Sequence, residues 1–96
     1  MYAVLTTFFL NPGMSSVMFE RGEEITTLFK SAKGLTSIAF FGNDKTGEYG
    51  GFSIWESRED AEEFTNYARP RLREMLKDVI KGPATTKIFF VFEPEI

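Results

Sequence analysis

"GGFSIWESREDAEEF", residues 50–64, is the stretch whose reading decides the fold. Its first part is strand-like and ends in Trp55, the only Trp of the chain. Two residues later Ser57-Arg58-Glu59-Asp60 fits a capping box, with acids in the first turn to suit the helix dipole. The helix that follows has Ala61, Phe64, Ala68, Leu72, Met75, Leu76 and Val79 on its apolar side. Ser57 is therefore read as a cap. It is not read as a nucleophile, because no partner base is in view.

Working outward, "TGEYGGFSIWE" (46–56) and "LTSIAFFGND" (35–44) are two strands joined through "GNDKTG", dense in turn formers, as a hairpin. "YAVLTTFFL" (2–10) is a strand that Asn11-Pro12-Gly13 ends. "SSVMFERGEEITTLFKSAKG" (15–34) is a helix, with Ser15 or Ser16 as its cap and Gly34 suited to the left-handed position after its end. In the second helix Pro70 predicts either a kink or a second short helix, and Gly82-Pro83 the stop. "TTKIFFVFE" (85–93) is the last strand. The order β-α-β-β-α-β, taken as one domain over 1–96, predicts an α+β, ferredoxin-like arrangement. It has a four-stranded antiparallel sheet with both helices on one face.

The face away from the helices should then alternate to polar. It does not. Tyr2, Val4, Phe8 and Leu10 oppose Ala3, Leu5 and Phe9. Ile88, Phe90 and Phe92 oppose Phe89 and Val91. In the hairpin, Ile38 and Phe40 oppose Leu35, Ala39 and Phe41, and Phe52 and Ile54 oppose Tyr49 and Trp55. A large apolar side chain contributes roughly 1.5–3 kcal/mol when fully buried. Several left wet would forfeit an amount comparable to a domain's net stability of about 5–15 kcal/mol. The expected cover is a second copy, making a homodimer sheet against sheet. The alternative is a greasy ligand or another protein.

Composition narrows the rest. The net charge of −3 argues against nucleic acid or an anionic membrane as partner. No apolar run approaches membrane-spanning length, and "MYAVLTTFFLNPG" lacks the marks of a signal peptide, so a cytoplasmic protein is expected. The chain has no Cys and no His, which removes thiolate chemistry, the commonest general base near neutral pH and the commonest neutral metal ligand. The acid pairs Glu23-Glu24, Glu59-Asp60 and Glu62-Glu63 are adjacent and so do not share a helix face; no metal site is indicated.

This strand and helix order, the sheet-to-sheet pairing and "IWESREDAEEF" together resemble the antibiotic biosynthesis monooxygenase-like family of the dimeric α+β barrel superfamily. Trp55-Glu56-Ser57 before "REDAEEF" looks like that family's turn into the second helix. The resemblance implies a pocket between sheet and helices in which an electron-rich phenol or quinol reacts with oxygen, without metal or flavin. It places Trp55, Asn66 and Tyr67 at the pocket, with Arg69 and Arg71 just beyond. The haem-degrading branch looks like it needs an Asn on the first strand, a Trp in the second helix and a His beyond it. Here the matching residues are Thr6 or Thr7 and Tyr67, with no His, so haem degradation is not expected.

Each candidate has a plainer reading. Trp55 is a wall that stacks on a substrate, or a core wedge at the strand–helix corner, the commoner role for a lone Trp on an apolar face. Tyr67 and Asn66 exchange a proton with a phenol and bind an anionic oxygen, or sit on the helix surface. Of Arg69, Arg71 and Arg73, at most one or two can face a pocket. Gly50-Gly51 makes room for a ligand or a bulge, or packs tightly against the partner sheet. Two functions follow. One is a cofactor-independent monooxygenase in which Trp55 and Tyr67 orient a small aromatic substrate and Asn66 and Arg71 stabilise its anion. The other is a non-catalytic dimeric barrel that binds a small apolar ligand or serves a structural role.

Overall fold

The computed structural model describes residues 1–95. Its elements are β1 (Tyr2–Leu10), α1 (Ser15–Phe29), β2 (Leu35–Asn43), β3 (Glu48–Trp55), α2 (Arg58–Leu76) and β4 (Ile80–Phe90). The strands form one antiparallel sheet in the order β2-β3-β1-β4. This is the ferredoxin-like α+β fold expected from the strand and helix order.

Register sets which side chains meet the helices. Tyr2 pairs with Trp55, Val4 with Ser53 and Phe8 with Tyr49 on one side, and Tyr2 with Phe90 and Val4 with Ile88 on the other. These positions form the inner face. Val4, Trp55 and Ala61 make one buried cluster there; Phe8, Leu10, Met18, Ile25, Tyr49, Leu76 and Val79 make a second. The outer face carries Leu5, Phe9, Phe41, Phe52, Ile54 and Phe89, and of these Phe9 and Phe89 are about half exposed, at 47% and 49%. A register shift between Leu35 and Ser37 turns Leu35 inward beside Trp55, the opposite of its expected side.

The second helix starts as read: Ser57 Oγ accepts from the Asp60 amide at 3.1 Å. It runs unbroken to Leu76, so no second helix starts at Pro70. Pro70 is exposed, and the carbonyl of Asn66 that loses its amide partner belongs to an exposed residue that water can serve. Gly82-Pro83 does not end the helix. The chain turns at Lys77–Val79, and both residues fall inside β4, where its register against β1 shifts between Thr7 and Phe9. Gly82 has φ +76 there, and Pro83 is tolerated because β4 is an edge strand. α1 starts at Ser15 itself, after Met14 and with no side-chain cap, so neither Ser15 nor Ser16 caps it. It ends at Phe29, whose ring meets Phe64 with centroids 4.6 Å apart. Gly34 lies beyond the helix at φ +82, where any side chain would strike Asp60, and its carbonyl accepts from the Glu56 amide at 2.8 Å. No described helix is long and apolar enough to cross a membrane.

Arg21 ties α1 to the end of α2. It donates to Asp78 through both terminal nitrogens, at 3.0 and 3.1 Å, and to the Met75 carbonyl. The hydrogen bond from Arg21 holds the Asp78 carboxyl below its ordinary value of 3.8. A depressed carboxyl stabilises the fold above its unfolded pKa and loses that effect as pH falls through the folded value. Asp78→Asn is therefore expected to melt lower than wild type at pH 7, by roughly a few degrees. The two melting curves should converge as pH is lowered below 3.8. Scanning calorimetry across pH checks this; a difference that persists in acid would contradict it.

Candidate functional site

A cavity of about 960 Å³ lies between the inner face of the sheet and the two helices. All four strands contribute to it: Thr6 from β1, Ile38 and Phe40 from β2, Gly51 and Ser53 from β3, Thr86 from β4. α2 packs on β1, β3 and β4 while α1 packs on α2, so the space is roofed by both helices. α1 lines it with Phe19, Gly22, Glu23, Thr26 and Phe29. α2 lines it with Phe64, Thr65, Ala68, Arg69, Leu72 and Arg73.

Trp55 borders the closed inner end of this space and exposes no surface to solvent. Its indole packs against the touching pair Phe64, 5.2 Å away centroid to centroid, and Phe29, at 6.4 Å. The indole N–H donates to Ser53 Oγ at 2.9 Å, two residues back along the same face of β3. The N–H is therefore engaged, and what Trp55 offers a ligand is apolar wall. The same residue that packs β3 against α2 also borders the cavity.

The two glycines at the head of the quoted stretch take opposite faces. Gly51 faces inward, and a Cβ there would sit 3.3 Å from the Phe40 ring. Gly50 faces outward beneath the ring of Phe41, its cross-strand partner. Tyr49 covers Gly42 in the same way on the inner face. Its hydroxyl donates to Asp44 and approaches Ser15 Oγ at 3.5 Å. Aromatic rings laid over cross-strand glycines help pin the register of this hairpin.

Of the four expected site residues, Trp55 borders the cavity. Asn66, Tyr67 and Arg71 are exposed, and none of them is among the residues that line it. Tyr67 stacks against Phe64, with centroids 5.9 Å apart, and Arg71 lies over its ring at 3.8 Å while donating to the Tyr67 carbonyl at 2.8 Å. The cations at the cavity are Arg69, Arg73 and Lys77, on the other flank of α2. Their spacing of four beside Ala68, Leu72 and Leu76 is visible in the sequence; which flank faces the cavity is set by how α2 lies on β4.

The cavity's hydroxyls are largely engaged with the protein itself. Thr26 donates to the Gly22 carbonyl at 2.8 Å and Thr65 to the Ala61 carbonyl at 2.7 Å. The Thr6 and Thr86 hydroxyls are 3.2 Å apart, so one of them keeps a free hydrogen. Among the described residues no group of His, Cys, Asp and Glu comes together that could hold a metal ion.

Ser53→Ala tests the inner end. It leaves a fully buried indole N–H without its acceptor, and is expected to destabilise the fold by about 1–3 kcal/mol. Urea unfolding measures this, and unchanged stability would mean that the indole has another partner.

No family model matches the sequence, and no curated protein does. Solved structures do match over nearly its whole length. Rv0793 from Mycobacterium tuberculosis superposes with a TM-score of 0.77 at 17% identity, covering 97% of this chain and 96% of its own. A protein named as an antibiotic biosynthesis monooxygenase matches at 0.76 and 14%, covering 97% and 100%. A variant of MhuD with two manganese protoporphyrin IX molecules bound per active site matches at 0.77 and 14%, covering 99% and 98%. At these identities it is the backbone that is shared: the chain has the fold of the antibiotic biosynthesis monooxygenase-like proteins.

Proposed function

We propose that the chain binds a small aromatic, phenol- or quinol-type molecule in the inner cavity and oxidises it with molecular oxygen, the substrate supplying the electrons. The observation that carries this is the cavity itself: about 960 Å³, apolar, and lined by aromatic residues from β1, α1, β2, β3 and α2. The fold shared with a protein named as a monooxygenase supports the choice of chemistry. In that chemistry a phenol takes up O2; one oxygen atom becomes a quinone carbonyl and the other leaves as water. The substrate loses two hydrogens, so no external reductant enters the balance. Trp55 with Phe29 and Phe64 forms the wall that orients the ring. The free hydroxyl of the Thr6–Thr86 pair donates to a substrate oxygen. Asn66, Tyr67 and Arg71 stand outside the cavity of a single chain and are given no part in it. Porphyrin is not assigned, because the chain has no His or Cys to hold its iron.

A second reading, binding without chemistry, is favoured by one observation. Most hydroxyls at the cavity already serve the protein's own groups. Oxygen uptake separates the two. Thr6 faces the cavity from β1, so the ring of Thr6→Phe would project into that space and fill it. Wild type is expected to consume oxygen with 1-naphthol well above its spontaneous oxidation, and Thr6→Phe to fall to that background. Wild-type uptake at background overturns the monooxygenase reading.

We also propose that the outer face is covered by a second copy, sheet against sheet. Phe9, Phe41, Phe52 and Phe89 are each exposed there, and they flank Leu5 and Ile54 to make one apolar patch. Sedimentation equilibrium at micromolar concentration is expected to return twice the chain mass of 11.0 kDa, and Phe52→Glu the single mass. A wild-type monomer would contradict this.

A further inference from the structure

We infer that the cavity selects aromatic acids, and that Arg69 and Arg73 hold their carboxylate. The inference rests on the cavity being a ligand pocket and adds the ligand's charge. Both arginines border the cavity from α2, four residues apart and so on one flank of the helix. Lys77, four further on, borders it too, but its ammonium is 2.6 Å from Glu74. Glu23 is the one carboxylate at the cavity, and it comes from the other helix. The chain as a whole is acidic, at −3, yet three cations meet one anion here. The local sign is opposite to the global one.

Arg69 and Arg73 are exposed where they border the cavity, and two features suit them to an anion. Neither belongs to an ion pair among the described residues, although α2 is rich in acids; the pairs formed are Arg21–Asp78, Arg58–Glu62 and Lys77–Glu74. Arg71, two residues away, is stacked on Tyr67. Second, like charges at this spacing oppose helix formation. An anion seated between the two guanidinium groups would relieve that repulsion, and the planar donor fork suits a carboxylate in particular. The aromatic body of such a ligand would extend over Leu72 toward Phe64 and Phe29.

The test compares two probes of one shape, 4-biphenylcarboxylate and 4-biphenylmethanol, by calorimetric titration into the full chain. Wild type is expected to bind the acid about tenfold more tightly than the alcohol, a preference that weakens in high salt. The double variant Arg69→Gln, Arg73→Gln should bring the acid to the affinity of the alcohol and leave the alcohol within about twofold of wild type. Lys33→Gln, a control for net charge at an exposed position, should behave as wild type. Equal affinity for both probes in wild type overturns the inference, as does an acid preference that survives the double variant, or an equal loss of both probes in it. If wild type binds the alcohol but prefers no acid, the pocket stands and the carboxylate site falls. If it binds neither, the pocket reading falls and takes this inference with it.

Discussion

A four-stranded sheet that is apolar on both faces has two helices with which to cover them. That constraint organises the molecule. The helices take the face where Tyr2, Val4 and Phe8 pair with Trp55, Ser53 and Tyr49. The opposite face, with Leu5, Phe41, Phe52 and Phe89, has no cover among the described residues. Period-two alternation makes the division strict, because a slip of one residue would exchange the faces of a whole strand. The two faces therefore have different tasks: the inner one encloses space, and the outer one offers a surface.

The inner space exists because the core is divided. Val4, Trp55 and Ala61 pack at one end with Phe29 and Phe64. Phe8, Tyr49, Ile25, Leu76 and Val79 pack at the other. Between them the sheet presents small residues, Thr6 and Gly51, which are cross-strand partners, so the helices have nothing there to rest on. Phe41 over Gly50 and Tyr49 over Gly42 fill comparable gaps elsewhere in the hairpin. Phe40 borders Gly51 from β2, and toward Thr6 the gap is left open. A large residue at either position would close the cavity, and a domain of this size has little stability to spare for an unfilled core.

The order of elements was legible because it rests on local signals. Ser57 with Asp60, the Asn43–Gly47 turn and the two apolar periodicities each specify their own neighbourhood. The double apolar face was legible for the same reason, since alternation is a property of the strand. The errors fell where tertiary contact overrides local preference. Gly82-Pro83 looks like a helix stop and is instead an edge-strand bulge, because Asn11 donates hydrogen bonds to the carbonyls of Val79 and Ile80 and brings the strand in earlier. Leu35 changed sides at a bulge that no composition rule marks. At the site, Trp55 could be found as the sole Trp at a strand end. Arg69 and Arg73 could not be separated from Arg71, because that choice depends on which flank of α2 meets the cavity.

We propose that the two apolar faces are not equivalent: the inner one takes the ligand and the outer one takes a partner. The chain has a single indole, so its N–H gives a single resonance, and Ser53 holds that group at the closed end of the cavity. Titration of a neutral aromatic probe followed by proton–nitrogen correlation spectroscopy reads both faces at once. The Trp55 indole signal and the amides of Thr6, Gly51 and Leu72 are expected to shift and saturate together, with the amides of Leu5 and Phe89 unmoved. Saturable shifts at Leu5 and Phe89 with a stationary indole would contradict it.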